Sequence, residues 1–469
     1  MRPLCSAAVR RGDGDARVTD VDVVVVGAGL SGLTAARDLD AAGLSVLVTE
    51  ARDRVGGRTL NATVAGVNVD LGGTFIGPGQ DRVGALAAEL GCATHPTRTA
   101  GDNLAFWNGR VRRYSGTIPR VSPVTLADVE RVRLQLERIM RRVPLGRPWD
   151  APDAAELDAQ TVASWLEKAR ATAGARSLVG VITKTAWGCE PNEISLLHFT
   201  HYLHACGGLN PMVDTEGGAQ QDHFPEGAQQ LSVRLADKLG EKVLLGAPTT
   251  RIEWSEDGAT VTAGDTIINC RNVIVSVPPA LRGRITFAPL LPMLHDVLPQ
   301  RWPQGVISNV YVAYETPFWR AAGLSGQVVS DAAPIYGTFD TGPSDDGPGV
   351  LLGFVGGSYA RDFATLPPAE RKLRALSAFA TFFGAAALNP IDYIEQQWGQ
   401  EPWSGGGPTS AVPPGAWTSY GRALAAPVGP IHWAGSETAD KWPGYLDGAV
   451  SAGERAAREI RTRVQGVSA

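Results

Sequence analysis

The chain reads as α/β, a parallel sheet flanked by helices with a second, α+β domain interleaved into it, and three observations carry that reading. Four consecutive valines, Val23 to Val26, run straight into Gly27, Gly29 and Gly32; a β-branched run closed by glycine marks a parallel strand buried on both faces. A helical stretch, residues 33–42, and a stop at Gly43 lead to a second apolar strand, residues 45–49, which ends in Glu50. Glycine-rich turns of the same kind come back near residue 220 and after residue 397, with charged, helical sequence between them.

The G-x-G-x-x-G spacing gives each glycine a task. Gly27 makes the tight turn, Gly29 lets the backbone approach a pyrophosphate, and Gly32 lets the following helix pack on the strand. Leu30 and Ser31 belong to the same phosphate-facing turn, with phosphate on the helix N-terminus. Glu50 lies 18 residues past Gly32, close to the roughly 20 expected for a carboxylate that accepts hydrogen bonds from an adenosine ribose. The unit is therefore Rossmann-like. Ala51, Arg52 and then Gly56, Gly57 and Arg58 follow the second strand, where they can reach back to the same pyrophosphate, with Arg58 as its clamp.

With Gly56-Gly57-Arg58 in place, the sequence resembles the flavin-containing amine oxidases, the monoamine and polyamine oxidase family, and it does so from about residue 20 to 465. The resemblance implies FAD as cofactor. It divides the chain into an FAD-binding domain from residues 21–90, 218–290 and 398–465 and a substrate domain from residues 91–217 and 291–397. It also puts Gly72, Gly73, Thr74 and Phe75 beside the flavin, Val243 against adenine and Trp398 near the isoalloxazine ring. The segment Gly435, Ser436, Glu437 and the segment Tyr445, Leu446, Ala449 match the family closely, with Glu437 holding cofactor hydroxyls. The terminal helix, starting near Gly448 to Val450, would offer free N–H groups to negative charge on the flavin.

Three departures matter. Relatives tether flavin through a cysteine where this chain has Gly407, so FAD is expected to be non-covalent; a cage tyrosine is replaced by Pro408; and a lysine that reaches flavin N5 through a water is replaced by Arg284. An arginine is larger, planar and permanently charged, so it either displaces that water, binds an acidic substrate, or turns away to a surface acid.

Between the nucleotide motifs, residues 106–114 read as a hairpin around Asn108-Gly109, and residues 126–140 and 161–171 as helices. Residues 193–208 carry His198, His201 and His204. On a helix these spread over about 120° of arc, too wide for one metal ion, and no metal site is expected. The stripe Leu196, Phe199, Leu203 would pack inward, with His201 opposite. The resemblance implies that His201 or Tyr202 touches substrate, and the residues alone read equally well as a surface histidine. Gln220 is expected to face the substrate.

Composition bounds the rest. At 469 residues with 44% hydrophobic content the chain can bury two cores. A net charge of −5 gives no reason to expect nucleic acid or an anionic membrane. Five scattered cysteines read as free thiols in a reducing compartment, taken as the cytoplasm. Residues 1–20 lack a signal-peptide core and read as a disordered leader; residues 375–388 are too short to span a bilayer and read as a buried helix. The sequence runs five residues past the expected terminal helix, and the membrane anchor of some relatives is not expected.

The resemblance implies oxidation of a small amine by hydride transfer to FAD, with dioxygen or another electron acceptor; a homodimer is left open. An apolar aromatic pocket would hold the amine neutral by desolvation, with Tyr445 and Trp398 as its walls, Gln220 orienting the substrate and Arg284 near N5. Two other readings stay open, a flavin dehydrogenase or desaturase acting on a non-amine or acidic substrate, and a flavin-binding scaffold without turnover.

Overall fold

The computed structural model describes residues 17–116, 119, 121–343 and 346–466. The valine run lies at the centre of an eight-stranded sheet. Arg17–Val26 pairs in parallel with Val46–Thr49 on one side and with Thr266–Val275 on the other. Val243–Leu244 extends one edge, while Gly258–Ala263, Thr249–Ser255 and Thr286–Ala288 extend the other, and Ile431–Trp433 also pairs with Thr266–Val275. Alternation sends the valines into two cores. Val23 and Val25 face the helices Leu30–Ala41, Gln229–Leu239 and Leu446–Gly466, and Val24 and Val26 face Ile252, Val261 and Trp433. A strand covered on both faces needs no polar alternation.

Two boundaries differ from expectation at this strand. Residues 17–20, expected in a disordered leader, are its first four residues, held in register by residues 266–269; the remainder of the expected leader lies outside the described residues. The helix starts at Leu30 rather than residue 33, because Gly29 takes the extended N-cap conformation at once.

A second, seven-stranded sheet runs in the order Asp392–Gln397, Ile307–Tyr314, Gly349–Gly356, Gly337–Asp340, Leu324–Ser330, Asp102–Trp107, Arg110–Tyr114. Its terminal hairpin turns at Asn108 and Gly109, both with positive φ, as an Asn-Gly turn requires. Ile307–Tyr314 is buried along its whole length. Val310 and Val312 face the core around Phe379, and Tyr311 and Ala313 face Val64, Val69 and Leu71. The Tyr311 hydroxyl donates to the Asp70 carbonyl at 2.7 Å, tying this sheet to the loop that follows Asp70. The apolar run 375–388 is not one helix: Pro368–Phe383 is helical, Gly384 turns the chain at positive φ, and Ala385–Leu388 is a 3-10 turn. Among the described residues no helix is long and apolar enough to cross a membrane.

A helical layer that includes Pro123–Met140, Ala173–Ala186 and Leu196–Ala205 packs around Trp187, Trp302 and Trp417.

Candidate active site

Residues from both sheets and from the helical layer enclose a cavity of about 1200 Å³. A single small ligand occupies about 300–1000 Å³, so this space suits a dinucleotide with a substrate beyond it.

At one end two glycine turns form the floor. Gly29 and Gly56 are bridged, the Gly56 N–H donates to the Ala28 carbonyl at 2.9 Å, and a Cβ on Gly57 would stand 3.4 Å from the Gly29 Cα. Gly32 lies beneath, off the cavity wall, where a Cβ would meet the Gly27 carbonyl oxygen at 2.1 Å; its task is packing, as expected. The Glu50 carboxylate, buried on the wall, accepts from the Ala28 N–H at 2.8 Å and the Arg52 N–H at 3.0 Å. Leu30 and Ser31 open a helix without a side-chain cap, so its first-turn N–H groups and positive dipole end are available to an anion. These donors and this carboxylate fit the phosphates and ribose of FAD.

The terminal helix also lines the cavity, and it starts two residues earlier than expected. It begins at Leu446, and the Ala449 N–H already donates to the Tyr445 carbonyl at 3.1 Å. Residues 446–448 therefore supply the open amides, while Leu446 and Ala449 line the cavity. A Cβ on Gly453 would stand 2.3 Å from the Ser31 carbonyl oxygen, so the two helices cross in backbone contact. Gly435 is fixed there by donating its N–H to Ser31 Oγ at 3.0 Å.

Farther along, Gly72, Gly73, Thr74 and Phe75 line the wall with Trp398, Gly407 and Pro408. Gly72 is required sterically: a Cβ would fall 2.0 Å from the Arg58 carbonyl oxygen and 2.9 Å from the Trp398 ring. Trp398 is locked by donating its indole N–H to the Leu71 carbonyl at 2.7 Å. Tyr445 packs edge-on against Trp442 and lies 6.1 Å from Tyr202, and both tyrosines line the cavity. Burial pushes both phenols well above their ordinary value. Gln220 donates to the Met212 carbonyl at 3.1 Å and leaves its buried Oε1 without a protein partner on the cavity wall.

Of five further expected site residues, Arg58 and Arg284 line the cavity while Glu437, Val243 and His201 do not. Arg58 lines the cavity, and its guanidinium is bidentate to Glu437 at 2.6 and 2.9 Å and also donates to Ser436 Oγ and the Pro408 carbonyl. Glu437 is off the wall of this cavity, and each of its oxygens accepts a hydrogen bond from Arg58. Burial alone would raise its carboxyl, yet the charge and hydrogen bonds of Arg58 hold it below the ordinary carboxylate value. Val243 pairs with Val48 at the sheet edge and packs into the helix-side core; Thr49, Glu50, Thr249 and Thr250 form the cavity wall nearby. His201 is neither at the surface nor on this cavity. It is 3% exposed, edge-on to Trp417, because Leu196–Ala205 is covered on nearly every side. Arg284 does line the cavity, at an exposed position, with its guanidinium donating to the Pro402 carbonyl rather than to a surface acid.

The substrate half was not foreseen. Leu178, Val181 and Ile182 come from Ala173–Ala186, and Val328, Tyr336, Phe339 and Phe354 from the second sheet or its connections. At the outer end Glu130 and Arg133 of Pro123–Met140 pair with each other. Among the described lining residues the only carboxylates are Glu50 and Glu130. None of these wall positions carries a motif; the periodicity of their helix or strand was their only signal. Among the described residues no group of His, Cys, Asp and Glu could hold a metal ion.

A family model for flavin containing amine oxidoreductase matches residues 30–461. The chain is 52% identical over 440 residues to the putative flavin-containing monoamine oxidase AofH of Mycobacterium tuberculosis, covering 94% of this chain and 96% of that one. It superimposes on a putrescine oxidase bound to putrescine with a TM-score of 0.92 at 34% identity, covering 95% of this chain and 100% of the other. For the cyclohexylamine oxidase of Brevibacterium oxydans the TM-score is 0.91 at 35% identity, with the same shares. The chain belongs to the flavin-containing amine oxidoreductase family.

Proposed function

We propose that this enzyme oxidises a primary amine with one nitrogen and an apolar, ring-bearing tail, holds FAD without a covalent bond, and uses dioxygen as acceptor. The carrying observation is the lining of the substrate side: beside Tyr445 and Trp398 it includes Ile182, Leu178, Met212, Val328, Phe339 and Phe354, and apart from Glu50 at the nucleotide end Glu130 is the only carboxylate among the described lining residues. A second ammonium on the substrate would be desolvated there without a partner. One relative is bound to putrescine, a diamine, and another is named for cyclohexylamine, an apolar monoamine; the wall favours the second kind.

The glycine turns and Glu50 would hold FAD, which would supply the acceptor for the hydride on the carbon that bears nitrogen; the imine so formed would be hydrolysed by water. The protein's part is to deliver a neutral amine. Aromatic walls at Tyr445 and Trp398 lower the amine pKa by desolvation, and the unpartnered Gln220 Oε1 accepts an N–H, turning the nitrogen lone pair and α-carbon toward the ring. Non-covalent binding is supported by Gly407, which has no sulfur, and by Cys92, Cys189, Cys206 and Cys270, free thiols none of which lines the cavity. The oxidase names of the relatives support dioxygen as acceptor.

Anaerobic stopped-flow reduction of the FAD-loaded enzyme by benzylamine, cyclohexylamine and putrescine tests the reading. Reduction by the two monoamines at least about 100-fold more efficiently than by putrescine is expected, since an unpaired buried charge is worth several kcal/mol. Equal efficiency with putrescine overturns the specificity, and an unreduced flavin with every amine overturns the activity.

A further inference from the structure

Behind Tyr202, away from the main cavity, lies a second enclosed space of about 10 Å³, room for one water molecule. Its wall includes His198, His201, Ser410, Trp417, Tyr202 and Glu437. The polar atoms there are buried and short of partners. His198 accepts the Trp417 indole N–H on Nδ1 at 3.0 Å, which places its own proton on Nε2, an atom without a protein hydrogen-bond partner. His201 finds no protein partner for either ring nitrogen, and neither does Ser410 Oγ. Burial pushes both imidazoles down to about 3, so each is neutral and offers one donor and one acceptor. Buried polar atoms are almost always satisfied by protein or by ordered water.

The space adjoins the wall of the substrate site. Tyr202 faces the main cavity and this space at once, and its ring packs beside that of Tyr445, with centroids 6.1 Å apart. Gly444 holds the backbone tight here: a Cβ would stand 2.7 Å from Thr409 and 2.9 Å from the Tyr202 hydroxyl. We propose that this space binds one ordered water, hydrogen-bonded to His201 and Ser410 Oγ, and that His201 is thereby a positioning residue which fixes Tyr202 and, through it, the substrate-facing ring of Tyr445. The three-histidine helix then has a use other than metal binding or direct contact with substrate.

Crystals of the FAD-loaded enzyme should show a single solvent peak within hydrogen-bond reach of both His201 and Ser410 Oγ; a dry space overturns the site. That arm is independent of which amine is oxidised, whereas the kinetic arm rests on the amine-oxidation reading. His201→Leu should keep its FAD and its substrate dissociation constant while the limiting rate of flavin reduction falls about tenfold, a modest misplacement effect. His201→Asn, which can still hold the water, should recover most of that rate. A wild-type rate in His201→Leu overturns the positioning role, and so does a joint fall of rate, substrate affinity and FAD content, which would mark a purely structural residue. If His201→Leu does not fold, Ser410→Ala removes the other anchor and the same two outcomes apply.

Discussion

Replacing Glu437 by Gln separates the observed role of this carboxylate from the expected one. Glu437 has a side chain 3% exposed, and it neutralises Arg58 through two hydrogen bonds of 2.6 and 2.9 Å. Glu437→Gln keeps the shape and leaves a guanidinium without its counter-charge. Removing one partner of a buried pair is worth about 3–5 kcal/mol. Arg58 keeps 21% of its side-chain surface, so the lower end, about 3 kcal/mol, applies to the cofactor-free protein. FAD brings phosphate charge into the cavity that Arg58 lines, so the loss should shrink in the loaded enzyme. The FAD dissociation constant of the variant should then equal that of the wild type or lie below it. Thermal melts of apo and loaded protein, with FAD titration by quenching of the tryptophans, measure both quantities. A variant whose apo form melts like wild type but binds FAD tenfold more weakly would show that Glu437 holds the cofactor and that the present assignment is wrong. The pH dependence has a definite sign. A carboxyl held below its ordinary value stabilises the fold above about pH 4 and stops doing so as pH falls through the depressed value, so the wild-type advantage in apo protein should be flat from pH 6 to 9.

Other positions give independent tests. At Gly407 an added Cβ meets only Trp398 and Ile307 carbons at 3.5 to 3.6 Å, so Gly407→Cys should fold, and its flavin should stay with the protein after acid precipitation while wild-type flavin stays in solution; release from both would mean the flavin ring lies elsewhere. Gly72→Ala drives a Cβ into the Arg58 carbonyl, and a loss of about 1–3 kcal/mol from overpacking with reduced FAD content is expected; full FAD content at an unchanged melting temperature counts against the close packing. Burial pushes the Asp70 carboxyl up to about 8, so its stabilising share is complete below the ordinary carboxylate value and is lost as pH rises through 8. Asp70→Asn should accordingly gain on wild type progressively between about pH 4 and 8, and a pH-independent difference between the two melts would refute this. Arg284→Lys should change the rate of flavin reoxidation by dioxygen and leave amine saturation alone, since Arg284 lines the cavity but its fork is engaged by the Pro402 carbonyl; a changed KM with unaltered reoxidation would point to substrate binding instead.

The nucleotide half of the site was legible because its constraints are local. Gly27, Gly29, Gly56 and Glu50 sit within a short βαβ stretch, and backbone geometry there demands particular residue types at fixed spacing. How the charges pair was not legible. Arg58 and Glu437 are 379 residues apart, and nothing in either motif says that they satisfy each other. His201 was misplaced for a related reason: a helix with histidines opposite its apolar stripe reads as amphipathic, yet Trp417, from a distant segment, covers that polar face. Val243 packs into the helix-side core, because at a strand edge alternation decides which side chain meets that core and which meets the opposite one.

The substrate wall shows where sequence reading stops in a chain of this kind. Its elements, Ala173–Ala186, Leu324–Ser330 and Gly349–Gly356 among them, are fixed by core packing, and apolar side chains satisfy that demand almost interchangeably. Leu178, Val181, Val328 and Phe354 therefore look like any other core residues, although their remaining face bounds the amine's tail. The cofactor cradle is narrow in what it accepts because backbone must touch phosphate and ring. The wall has no such constraint, so its volume can vary while the fold stays, and a substrate class can change without disturbing a single motif. For this chain the decisive feature is chemical rather than volumetric: Glu130 is the only carboxylate on the described substrate wall, and it is paired with Arg133. A lone introduced acid on that wall, such as Ile182→Asp, would supply the partner a distal ammonium needs. It should raise the efficiency of putrescine and depress that of cyclohexylamine, the two moving in opposite directions in the same stopped-flow assay. Parallel losses for both amines would mean that the wall sets only volume, and the charge-based account of specificity would fail.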